Sequence, residues 1–205
     1  MKRKSAFTLI ETIIAISVFC IGILTVLFWV SKTLRNQDYA ATQIKSAFFA
    51  REWIELVFNL RDANYHKELP WNCVFQWSNK LSGTWCDDNL EPWTVLKISI
   101  WSGDEYIHVE SSQPDTSDFT WMFNNYQIYM HTWDNDNPFI YDYYTWENYK
   151  ETWFARYLVV TWAFDENKDI IDTDKLLKIE SHVLYKKWEL TWEKVMETFI
   201  WNYEF

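Results

Sequence analysis

A chain of 205 residues with a formal charge of −10 has room, once a membrane-length segment is set aside, for one modest hydrophobic core and hardly two. The acidic balance argues against direct nucleic-acid binding, because proteins that track phosphates draw most of their affinity from Lys and Arg. Internal repeats and low-complexity tracts are absent.

Lys2, Arg3 and Lys4 lead into a stretch, Thr12 to Val30, in which 19 consecutive residues carry no charge. About 20 apolar residues suffice to cross the hydrocarbon core as a helix. The basic flank assigns the N-terminus to the cytoplasm and the acidic bulk to the far side. A secretory signal has an apolar stretch of only about 7 to 15 residues and a small-residue cleavage site after it, and Trp29-Val30-Ser31 is a poor one. A plain anchor fits the length but leaves Glu11 unexplained. A carboxylate at membrane depth costs at least ~2.5 kcal/mol and is kept where it finds a partner. The apolar run contains no basic residue to serve as one.

The stretch Ser5-Ala6-Phe7-Thr8-Leu9-Ile10-Glu11 closely resembles the processing motif of type IV pilin-like proteins: pilins, minor pilins and pseudopilins. The resemblance implies cutting by a prepilin peptidase between Ala6 and Phe7, with Ala6 standing where the family usually has Gly. It also implies N-methylation of Phe7, and Glu11 then becomes the carboxylate that neutralises the new α-amino group, on an adjacent subunit or four residues back on the same helix. Opposite charges in a low-dielectric setting favour pairing, while either alone is costly. The partners implied are the peptidase, other pilin or pseudopilin subunits, an inner-membrane assembly platform and the lipid bilayer. A monomeric membrane-anchored surface domain that binds a ligand or substrate is the alternative.

Past the membrane segment no proline occurs between Ser31 and Arg61, and apolar residues recur at Leu34, Ala41, Ile44, Phe48, Ile54, Val57 and Leu60. The spacing predicts an amphipathic helix continuing the span. The expected organisation is a leader (1–6), a transmembrane helix (7–30), a helical stalk (31–64) and a β-rich extracytoplasmic head (65–205). Cys73 and Cys86 flank a polar, turn-rich segment. Outside the cytoplasm a disulfide closing that loop is worth about 3 kcal/mol; two free thiols are the other reading. Cys20 lies in the apolar run as a small hydrophobe.

From residue 94 short alternating runs predict strands: 94–100 and 105–110 as a hairpin, then 126–132, 138–144, 154–162, 175–185 and 194–200. Leu177, Ile179, Ser181, Val183 and Tyr185 fall on one face. The fold class is α+β, a long helix packed on an antiparallel sheet. Enzymatic constellations are poor. The four histidines lie far apart without zinc spacing, and no nucleophile elbow or phosphate loop is present. Asp165, Asn167, Asp169 and Asp172, and separately Asp134, Asn135 and Asp136, put oxygen ligands at intervals that suit calcium. The first stretch has Ile170 where a calcium loop needs Gly and Leu176 where it needs Glu, so solvated turns explain both, and no cofactor is otherwise expected.

Fifteen tryptophans stand against three glycines. Trp53 lies in Arg51-Glu52-Trp53-Ile54-Glu55, where proteins similar to this family carry Gly, and Trp71, Trp93 and Trp133 sit beside Pro, Asn or Asp in turn-like surroundings. Average glycine usage of about 7% would give roughly 14 in a chain this long. The expectation is that the gene uses UGA for glycine at many of these positions, with Trp121 and Trp201, in strand-like surroundings, the best candidates for true tryptophan. An aromatic surface that stacks sugars or bases is the alternative, but it requires clustering on one face.

Overall fold

The computed structural model describes residues 9–74, 86, 88–101, 106–112, 117–131, 140–142, 149–172 and 175–202. Helix α1 (Leu9–His66) is followed by β1 (Cys73–Val74), β2 (Asp88–Asn89), β3 (Val95–Trp101) and β4 (Tyr106–Ser112). Then come α2 (Phe119–Tyr126), β5 (Gln127–His131), β6 (Ile140–Asp142), β7 (Tyr149–Trp162), β8 (Leu176–Lys187) and β9 (Leu190–Trp201). The chain divides into two compact units between Ile44 and Lys45, so residues 45–66 of α1 group with the sheet.

Nothing between Leu9 and His66 interrupts a helix: proline is absent and Gly22 is the only glycine. In the apolar part, hydroxyls bond to carbonyls four residues earlier, Ser17 to Ile13 (2.8 Å) and Thr25 to Ile21 (2.8 Å), and Thr33 just beyond it does the same to Trp29 (2.9 Å). Their polar atoms are thus satisfied within the helix, as an apolar solvent demands. The helix stops where Glu68 adopts φ 57° and the amides of Lys67 and Leu69 both donate to the Asn64 carbonyl at 3.0 Å, with Pro70 next in line. Asn64 is fully buried, and its Nδ2 donates to the carbonyls of Cys73 (2.8 Å) and Trp71 (3.3 Å), tying the helix end to the segment that follows.

In the head, β7 is the central strand. β8 pairs along one edge and β9 lies beyond it; the other edge is shared by β3, opposite the C-terminal half of β7, and β5, opposite its N-terminal half. β4 flanks β3, β6 flanks β5, and every pairing is antiparallel. The registers Leu158↔Ser181 and Val160↔Ile179 put Phe154, Arg156, Leu158 and Val160 on the same face as Ile179, Ser181, Val183 and Tyr185. The C-terminal part of α1 covers that face: Phe49 meets Phe154 edge-on at 5.2 Å, and Trp53, Val57 and Leu60 join the core with Leu158, Leu177 and Ile200. Each large apolar side chain so buried contributes about 1.5–3 kcal/mol.

The buried stripe of α1 differs from the one expected. Ile54, Val57 and Leu60 are buried, but Leu34, Ala41, Ile44 and Phe48 are exposed, and Ser46, Phe49, Ala50 and Trp53 point inward instead. Hydrophobicity alone misplaced the phase, because Ser46, Arg61 and Asn64 sit on the inner stripe. Trp121 also departs from expectation: it belongs to α2 and not to a strand. Asp118 caps that helix, its Oδ1 accepting from the amides of Thr120 (2.9 Å) and Trp121 (3.0 Å). Met122, Phe123 and Tyr126 then face inward at helical spacing, and Tyr126 packs on Tyr157 from the sheet face opposite α1.

Candidate functional site

Leu9 to Val30 form the N-terminal portion of α1, with the large apolar side chains of this stretch lying open, from 43% exposure at Ile23 to 79% at Leu9. By length and composition the helix can cross a bilayer. An apolar surface of this extent is not one a protein leaves in water, so lipid or neighbouring helices must provide its surroundings. A Cβ added at Gly22 would meet nothing within 4 Å in this chain. Glu11 sits in the first helical turn, exposed, where a carboxylate complements the positive end of the helix dipole. Ala6 and Phe7, the expected cleavage and methylation positions, lie outside the described residues.

Cys73 and Cys86 form a disulfide with their Cα atoms 5.6 Å apart, and β1 pairs with β2 beside it through Cys73↔Asn89. Cys20 is free and exposed.

The first acidic stretch is a turn organised by its own backbone. Asp165 Oδ1 accepts from the amides of Asn167 (2.8 Å) and Asp169 (2.9 Å), Phe164 bridges Ile170, and Lys168 takes φ 68° at the tip. Asp172 faces Lys175 instead, at 3.8 Å. Among the described residues no group of three or more His, Cys, Asp or Glu side chains is placed to hold a metal ion. Asp134, Asn135 and Asp136 lie outside the described residues.

Two charged arrangements went unforeseen. Arg156, almost fully buried beneath α1, pairs through Nη1 with Glu52 Oε2 at 2.5 Å and lies over the rings of Trp53 (4.8 Å) and Phe49 (5.6 Å). On the opposite face of the sheet a polar ladder crosses β7, β8 and β9. Tyr157 donates to Glu193 Oε1 (3.2 Å), which also meets His182 Nδ1 (2.6 Å); His182 Nε2 faces Glu180 (3.4 Å), and Lys178 joins Glu180 (2.7 Å) to Glu197 (3.0 Å). The His182 ring stacks on Tyr157 with centroids 4.7 Å apart.

Electrostatics of the ladder follow from these contacts. Burial, and then the neighbouring Glu193 carboxylate, push the Tyr157 hydroxyl well above the usual phenol range. The His182 hydrogen bond holds Glu193 below the usual carboxylate range although burial opposes it. Burial alone would lower Lys178, but its hydrogen bonds to the Glu180 and Glu197 carboxylates outweigh it and raise the ammonium pKa. The ladder therefore keeps Glu193 ionised and Tyr157 protonated, which clasps the outermost strand to its neighbours. Polar residues at alternate positions 178, 180 and 182 were the available sequence signal, but alternation is common to any half-exposed strand.

No curated protein and no solved structure matches the chain significantly. Residues 1–27, which hold the basic leader and Glu11, match the family model described as the prokaryotic N-terminal methylation motif, the signal of prepilin-type, pilin-like proteins.

Proposed function

We propose that the chain is a pilin-like subunit, of the minor pilin or pseudopilin kind, that assembles through α1 into an extracytoplasmic filament. Prepilin peptidase cuts between Ala6 and Phe7 on the cytoplasmic side and methylates Phe7, and an inner-membrane platform draws the subunit from the bilayer. The new cationic terminus is the partner of Glu11. The observation that carries this reading is the coincidence of the methylation motif over residues 1–27 with an apolar helical segment left open from Leu9 to Val30. Leu34, Ile44 and Phe48 add exposed apolar side chains beyond that segment, in keeping with neighbours that cover them.

The activity is assembly, and no catalytic residue is assigned. Co-expression with a prepilin peptidase, followed by mass spectrometry of the N-terminus, tests the reading. A mature chain beginning with N-methylated Phe7 is expected. An intact Met1 in the presence of active peptidase would instead mark a plain membrane-anchored domain.

A further inference from the structure

The backbone of the head makes a demand that its side chains do not meet. Four non-glycine residues among those described adopt positive φ: Glu68, Trp93, Lys168 and Trp188. Lysine and glutamate at such points are long, flexible and solvated. Tryptophan is a bulky residue for which a left-handed backbone is an outlier.

Both tryptophans stand at turn positions whose geometry specifies glycine. In Glu91-Pro92-Trp93-Thr94 the amide of Thr94 donates to the Glu91 carbonyl at 3.2 Å, and Trp93, after the proline, has φ 71°. That is a type II turn, with Pro at its second residue and positive φ at its third, where glycine is the standard occupant. The second turn is a two-residue hairpin loop: Lys187 pairs with Leu190, and Trp188 and Glu189 connect β8 to β9. Positive φ falls on the first loop residue alone, Trp188 at 57°, the position that a type II′ hairpin reserves for glycine.

Neither ring is buried: Trp93, 59% exposed, meets Trp162 edge-on at 5.3 Å, and Trp188, 81% exposed, has the Lys187 ammonium over its ring at 5.6 Å. The only glycine among the described residues, Gly22, lies inside α1, so none of the head's described turns holds one. Trp53 and Trp71 behave differently: both are buried and neither has a positive φ. The backbone therefore singles out two positions and leaves the remaining tryptophans undecided.

We propose that Trp93 and Trp188 are glycine in the protein as its own cell makes it, because the codon at both positions is UGA and the cell's decoding machinery inserts glycine there. The consequence for the head surface is direct. Two exposed aromatic rings that would otherwise read as platforms for a sugar or a base are absent, and the β8–β9 hairpin tip carries the Glu189 side chain alone.

The test is to sequence the gene and, by mass spectrometry, the peptides spanning residues 93 and 188 from protein purified out of the source cells. UGA codons with glycine-bearing peptides at both positions are expected. A UGG codon, or a tryptophan-bearing peptide, at either position overturns the proposal. Stability provides an independent measurement on the chain with tryptophan throughout: Trp188→Gly raises the melting temperature by relieving the turn, whereas Trp153→Gly, in the extended interior of β7, lowers it. A fall with Trp188→Gly would remove the conformational ground for the inference.

Discussion

Between Leu9 and Val30 the large apolar side chains of α1 lie open, whereas between Phe49 and Leu60 the same helix buries Phe49, Ala50, Trp53, Val57 and Leu60 in the core of the head. The two stretches share a backbone conformation and differ in what makes it stable. In the first, hydroxyls are satisfied inside the helix and apolar side chains await an apolar solvent, so a bilayer or a bundle of helices must complete it. In the second, burial against β7 and β8 does that work. A change in one stretch should therefore leave the property governed by the other intact.

The sharpest separation is expected at Glu11. Glu11→Leu removes the proposed partner of the Phe7 amine, and an uncompensated charge at low dielectric costs several kcal/mol, so filament incorporation should fall more than about tenfold. Head unfolding should be unchanged. Shearing filaments from cells and comparing sheared with membrane-bound protein measures the first quantity, and equal incorporation of the variant would break the assignment.

In the opposite direction, Leu158→Ala opens a cavity under α1 at a fully buried site and should cost about 2–5 kcal/mol in denaturant unfolding of the detergent-solubilised chain, with membrane retention untouched. Loss of anchoring by this variant would show that the two stretches are not energetically separate. Removing the Cys73–Cys86 bridge by Cys86→Ser should cost about 3 kcal/mol, since the cross-link restricts the unfolded chain. The loss should match that caused by a reductant on the parent chain.

The same contrast explains how much could be read before the structure. The membrane-length run and Glu11 are legible because lipid imposes a one-dimensional rule on sequence, a length and an absence of charge. Strands β3, β4 and β8 were legible because alternation over several residues repeats their pattern, whereas the buried centre of β7 is a continuous run with no such alternation. The inner stripe of α1 was not, because Ser46, Arg61 and Asn64 occupy positions that hydrophobicity alone would place outside. Asn64 is there to hold two carbonyls of the segment just after the helix, and Arg156 is buried because Glu52 and two aromatic rings, far off in sequence, receive it; neither fact shows in a hydrophobic pattern. Helix α2 was missed for a local reason, an Asp118 cap before aromatic residues that favour strands.

Glu52→Gln tests the join between α1 and the sheet more gently. The Arg156 guanidinium stays buried and keeps its rings but loses an ionic acceptor, and Glu52 is half-exposed, so about 1–2 kcal/mol is expected. Restoring Glu52 should recover that stability, whereas Arg51→Gln, which breaks an exposed pair with Glu55 one residue away, should change it by less than about 0.5 kcal/mol. Equal losses from the two variants would remove the special standing of the buried guanidinium.

The smallest effect belongs to the ladder on the other face, and its sign differs at the two ends of the pH scale. Glu193 is held below its ordinary value of 4.5 by His182, so its contribution to stability is present above that value and is lost as pH falls through the lower folded value. Tyr157 is raised above its ordinary value of 10.0, first by burial and then by Glu193, so its contribution is full below pH 10.0 and is lost as pH rises towards the higher folded value. Glu193→Gln removes the acid-side contribution and only part of the alkaline one, because burial of Tyr157 persists. Melting temperature followed against pH should then lose slope below about pH 4.5 and keep most of its decline above about pH 10. An acid limb as steep as that of the parent chain would mean that His182 does not stabilise Glu193, and that β9 is held on β8 by its backbone pairing, the Lys178–Glu197 ion pair and the burial of Ile200.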